Sequence, residues 1–316
     1  MEFHPVTVTD TAAKQAIDAT RAYKEWVRVQ RQLKTLGGSM FWKPVGSYEY
    51  LAQRSGLKIH HLGARSPETE LQYEKFQQER DRLRSREKSL HARIKLHERM
   101  NHAVHSGSAP TPLLKTLDAL EEAGAGTGSL VLGSAALLAY WQASGLQQPI
   151  QATKALDESL WVLLREKLTA QAKRKLQSSK IFNVSEVQVK DSRFLKFLMH
   201  SNQVKHVSCI KSTKTPMTSL PPASALEEAL VPVLAQIKSS PAFEQVVIGK
   251  TGKMGLMRTV DPKVFLDLCD TPAGKALGIE PQLGEMVQQL VSQRRIHSKI
   301  QDDVSTELKP STSMKP

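Results

Sequence analysis

The chain is short of cysteines, aromatics and long apolar runs, and each shortage removes a class of protein. Two cysteines, Cys209 and Cys269, among 316 residues cannot build a disulfide framework. The N-terminus has no apolar core of a secretory leader, so the expected setting is reducing and cytoplasmic. No segment approaches the roughly 18 consecutive apolar residues of a spanning helix, so no membrane association is expected. Phe, Tyr and Trp make up only 5% of the chain, which argues against a surface built throughout for stacking on single strands. Acidic residues are outnumbered as well: 31 Asp and Glu face 44 Lys and Arg, leaving a formal charge of +13. That excess favours encounters with phosphate-rich molecules and makes nucleic acid a candidate partner. Hydrophobic residues, at 40%, are plentiful enough for a real core in one large or two modest domains.

Three familiar sites are absent on inspection of their spacing. Gly249-Lys250-Thr251 has the end of a phosphate-binding P-loop, but the position five before Gly249 is Glu244 where that loop needs glycine. A hairpin turn between two strands explains it better. The glycine-rich AGAGTGS at 123–129 precedes an apolar strand instead of following one, so it is a loop and not a dinucleotide fingerprint. His91, His97, His102 and His105 lie close in sequence, yet at irregular intervals and with no cysteine nearby, which does not match zinc-ligand spacing.

The N-terminal third reads as helix, meander, helix. Ile17, Tyr23, Val27 and Leu33 suggest an amphipathic helix over 11–36, stopped by Gly37-Gly38. MFWKPVG, SYEYLAQRSG and LKIHHLG, separated by Gly-Ser and Ser-Gly, predict a three-stranded meander. Its Trp42, Tyr48 and Tyr50, beside Lys43, Arg54 and Lys58, either pack on neighbouring helices or face a nucleic acid or nucleotide. Ser66-Pro67-Glu68 is a helix start, with a serine cap, a proline at N1 and an acid at the positive end of the dipole. The helix runs to about Val104, with Phe76, Leu83, Leu90, His97 and Val104 at heptad intervals.

Beyond a break at 106–112, helices are expected over 113–122, 135–143, 158–176 and 225–237. Strands are expected at LVLG, near 153–157, through a hairpin from 181–190 into 194–200, at VKHVSCI (204–210), and on both sides of Gly249-Lys250-Thr251-Gly252. The resulting division is 1–105, 106–300 and a disordered tail at 301–316.

Two segments carry the chemistry. In SLVLGSAALLAY (129–140), an apolar run ends in Gly133-Ser134 and leads into a small-residue helix. Such a turn offers backbone N–H groups and a hydroxyl to a triphosphate. ATKALDESL (152–160) lies where a following strand would carry two carboxylates two residues apart, both on one face to clamp Mg²⁺. The two positions are Ala155 and Asp157.

Four segments, GSMFWKPVGSYEYLAQRSG (38–56), LGARSPETE (62–70), LVLGSAALLAY (130–140) and MRTVDPKVF (257–265), occur in the order found in the predicted nucleotidyltransferases of bacteria, a divergent branch of the polymerase-beta-like superfamily. The chain resembles that family over most of residues 20–270. The resemblance implies an α+β fold: a nucleotidyltransferase-like mixed sheet with flanking helices and an N-terminal helical extension containing a small β-meander. It implies nucleotide binding at Gly133 and Ser134 and a metal-binding Asp-x-Asp strand, with Asp157 as both metal ligand and catalytic residue and magnesium as cofactor. The first aspartate of the pair falls on Ala155, and the third acidic position falls on Ser208 and Cys209. The expected activity is therefore Mg-dependent transfer of a nucleoside monophosphate from a nucleoside triphosphate, reduced or lost through the incomplete pair. Glu158 or Glu186 would have to supply a shifted carboxylate set for full activity. The alternative is a noncatalytic nucleic-acid or protein interaction module on the same fold.

Overall fold

The computed structural model describes residues 7–55, 58–146, 159–165, 184–189, 192–198 and 223–298. The fold is mixed α+β, with one small antiparallel sheet and one larger mixed sheet. By its contacts the chain forms two compact units, residues 15–100 and residues 1–14 with 101–316. The expected strands at 153–157 and 204–210 and the tail at 301–316 lie outside the described residues.

In the smaller unit, helix α1 (Asp10–Leu36) and helix α2 (Pro67–Ala103) flank β1 (Ser39–Val45), β2 (Tyr48–Ser55) and β3 (Lys58–Ala64) in sequence. The buried stripe of α1 is Gln15, Ala19, Ala22, Tyr23 and Val27, whereas Ile17 is 54% exposed. Tyr23 and Val27 of the expected stripe are thus buried, while Ile17 is not, and small residues fill the N-terminal part of the buried face. The α2 stripe is buried at Phe76, Leu83, Ile94 and His97. Ser66 caps α2: its Oγ accepts from Thr69 N–H at 3.3 Å, and Ser66 N–H donates to Thr69 Oγ1 at 2.8 Å. Between the helices, Arg86 meets Glu25 at 2.7 Å, and Gln15 Nε2 meets His97 Nδ1 at 3.0 Å. Burial lowers the His97 pKa, with the Arg93 charge adding to the effect.

The larger unit is built on a six-stranded sheet of order β6-β7-β5-β4-β9-β8. Its strands are β4 (Ser129–Leu132), β5 (Ser159–Leu164), β6 (Val184–Val189), β7 (Ser192–Leu198), β8 (Phe243–Ile248) and β9 (Met254–Thr259). Only β4 and β9 run parallel; the other neighbours are antiparallel. Its helices are α3 (Thr111–Glu122), α4 (Ala136–Ser144), α5 (Ala223–Leu230), α6 (Leu234–Ser239), α7 (Pro262–Cys269), α8 (Pro272–Ala276) and α9 (Pro281–Ser292).

Alternation divides β4 and β5 between two apolar layers. Leu130, Leu132, Trp161 and Leu163 pack with Phe265 of α7, Val287 of α9 and Tyr140 of α4. Val131, Leu160, Val162 and Leu164 pack with Leu113, Leu114 and Leu117 of α3. A strand covered on both faces reads as a continuous apolar run. That is why LWVLL was expected inside a helix over 158–176, and β5 is the correction. The helix expected over 225–237 is also corrected: it divides into α5 and α6, because Pro232 lacks the N–H that would continue it. At 249–253 a tight turn joins β8 to β9, with Gly249 N–H bonded to the Lys253 carbonyl at 2.8 Å.

Candidate functional site

The site begins where β4 ends. Its four residues are all buried, and the chain leaves the sheet through a 3₁₀ turn, Gly133–Ala135, directly into α4. Gly133 has φ +79°, the left-handed region that favours glycine, and a Cβ built there would lie 2.3 Å from the Leu277 carbonyl oxygen. The need for glycine therefore comes from the chain's own backbone after α8. Ser134 is 3% exposed, so its hydroxyl belongs to the interior of this corner.

Register places other chain ends beside this turn. Leu132 pairs with Trp161 across the antiparallel β4–β5 ladder, so β5 enters the sheet at the end where Gly133 leaves it. Ser159, the first residue of β5, pairs with Leu198, the last of β7. The parallel neighbour β9 finishes at the same end and runs through Val260 and Asp261 into α7. The helices that follow β4 and β9 share one layer, the Tyr140 ring of α4 meeting the Phe265 ring of α7 at 5.5 Å between centroids.

A hydrogen-bonded corner anchors that end. Tyr140 OH donates to the Val260 carbonyl at 2.7 Å, and Thr259 Oγ1 donates to the Val131 carbonyl at 2.7 Å. Asp261 is 1% exposed and caps α7: it accepts from Lys263 N–H at 3.0 Å and from Ser298 Oγ at 2.6 Å. Its own N–H donates to Ser240 Oγ at 2.9 Å. Asp261 was missed as a candidate, although Asp-Pro directly after a strand is the signature of a cap followed by proline at N1.

The predicted site residues separate into those brought together and those kept apart. Gly133 and Ser134 sit at the sheet end just described. Ala155, Asp157, Glu158, Ser208 and Cys209 lie outside the described residues. Glu186 pairs with Leu195 in β6, and Leu195 pairs with Val162, which pairs with Val131. That row crosses the middle of the sheet, and at ~4.8 Å per strand it puts the Glu186 backbone about 14 Å from β4. Glu186 is thus in the wrong strand and at the wrong level to complete a site at Gly133. Among the described residues no group of three or more His, Cys, Asp or Glu is placed to hold a metal ion. Nor, among them, is any helix long and apolar enough to cross a membrane.

Compared with protein-family models, curated proteins and solved structures, the chain matches none.

The apolar packing behind the corner has a consequence for pH. Cys269 donates to the Phe265 carbonyl at 3.2 Å, and burial pushes its thiol up to about 11. Burial likewise raises the Tyr140 phenol well above its ordinary value. A thiol held protonated by the fold stabilises it fully below the unfolded pKa near 9, and that stability is lost as pH rises through about 11. Urea midpoints should accordingly fall between pH 9 and 11. Cys269→Ala should flatten part of that slope, leaving the part due to Tyr140, and an unchanged slope would show that Cys269 does not contribute.

Proposed function

We propose that this chain is a nucleotidyltransferase-like protein that binds a nucleoside triphosphate at the Gly133 end of its larger sheet and transfers the nucleoside monophosphate poorly or not at all. The observation that supports this reading is the register that starts β5 beside the β4–α4 turn. Asp157 stands two residues before Ser159 in the sequence, and Ser159 opens β5 at the sheet end where Gly133 leaves β4. Nucleotidyl transfer asks little covalent chemistry of a protein; it asks for a backbone turn that holds phosphates and carboxylates that hold the metals.

The described residues do not by themselves fit a magnesium site. Asp157 stands with Ala155 two positions before it, so the sequence supplies one carboxylate where two are needed. Calorimetry with ATP and GTP, with and without magnesium, is expected to give weak binding. Transfer of label from an α-³²P-labelled triphosphate should be slow, and Asp157→Ala should remove what there is. Rapid transfer that survives Asp157→Ala overturns this reading, as does the absence of any nucleotide binding.

A further inference from the structure

The meander of the smaller unit has two faces of different chemistry. On one, Met40 and Leu51 pack on Phe76 of α2, and the Trp42 ring meets Tyr73 at 5.8 Å between centroids. Arg65 covers the same Trp42 ring at 5.1 Å. Trp42 therefore belongs to the packing of the unit. The other face follows from alternation: Phe41 pairs with Ala52 and Ala52 with His61, while Lys43 pairs with Tyr50. Tyr48 stands on that face at the hairpin turn, 67% exposed, and Lys43, Arg54 and His61 are exposed with it.

This face concentrates what the whole chain has little of. Aromatics are 5% of the chain, yet residues 41–50 hold four, and three of these lie on the outward side. The charge is equally one-sided. Residues 15–100 carry 18 Lys and Arg against 10 Asp and Glu, and the only acid in the three strands, Glu49, is held by Arg65 on the opposite face. Arg54 covers the half-buried Phe41 ring, 5.7 Å from its centroid, which leaves Tyr48 and Tyr50 as the rings a base could meet and holds the Arg54 charge on this face. Rings on a sheet with basic groups between them suit bases that are free to stack and a phosphate backbone that needs neutralising. A duplex, with its bases already stacked inward, offers the rings nothing.

We infer that the outward face of β1–β3 binds single-stranded nucleic acid, with Tyr48 and Tyr50 as stacking platforms and Lys43 and Arg54 as phosphate contacts. The inference stands independently of any nucleotide site in the larger unit. To test it, the full chain is titrated into a fluorescein-labelled ten-nucleotide single-stranded RNA and followed by anisotropy at low and moderate salt. Binding should weaken with salt and fall about tenfold in Tyr48→Ala, the size expected for one lost stacking partner. Tyr48→Phe keeps the ring and should bind like the wild type, which separates stacking from a role of the hydroxyl. Lys43→Glu should weaken binding and reduce its salt dependence. Circular dichroism checks that each variant is folded, and Tyr48, 67% exposed beside a turn, lies outside the core. Full affinity in Tyr48→Ala, an RNA duplex bound as tightly as the strand, or no binding at low salt each overturns the inference.

Discussion

Gly133→Val is expected to destabilise the larger unit by more than about 3 kcal/mol, a substantial part of the roughly 5–15 kcal/mol that holds an ordinary domain together. Two costs combine. A side chain at φ +79° is forced into the left-handed region, worth about 1–2 kcal/mol even before β-branching is counted. The Cβ then meets the Leu277 carbonyl oxygen at 2.3 Å, and that oxygen is backbone, so it cannot turn aside as a flexible side chain would. Gly145, at the end of α4 in the same unit, separates the two costs: it has φ +68°, and a Cβ there would meet nothing within 4 Å. Gly145→Ala should therefore cost only about 1 kcal/mol, and Gly133→Ala clearly more. Equal urea midpoints for the two alanine variants would show that the Leu277 contact carries no weight. Loss of nucleotide binding in Gly133→Val is consequently no proof of phosphate contact, because the substitution also strikes the fold.

What the sequence revealed depended on how local the signal was. The meander was legible because each strand is bounded by turn residues, and Gly46-Ser47 leaves room for nothing but a tight hairpin. The start of α2 was legible because Ser66, Pro67 and Glu68 act within one helical turn. By contrast, β5 was hidden: Leu160, Trp161, Val162, Leu163 and Leu164 are buried against two layers, and a fully covered strand shows no period of two. In α1 the sequence pattern identified Tyr23 and Val27, but it put Ile17 in a buried face that alanines take at that end. At the candidate site, Gly133 was identifiable by type, but the carbonyl that demands it comes from Leu277, 144 residues later, and no local pattern announces such a partner. Asp261 and Ser298 meet by the same kind of long-range folding.

Ser159→Asp is expected to raise magnesium-dependent nucleotide affinity by about tenfold or more, and by more than Ala155→Asp does. Both substitutions place a second carboxylate two residues from Asp157, one after it and one before. The sequence alone favoured Ala155, on the assumption of a strand over 153–157. In the structure the strand begins at Ser159. Position 159 is held in the sheet by its pairing with Leu198, whereas position 155 lies outside the described residues. A metal ligand is worth most where the backbone already holds it, since less ordering is needed on binding. Calorimetry of the two single variants and the wild type with ATP and magnesium measures the difference. A gain limited to Ala155→Asp would move the metal-binding strand ahead of β5. If neither variant gained affinity, the end of the sheet beside Gly133 would not be a metal–nucleotide site, and the function of the larger unit would have to be sought elsewhere on it.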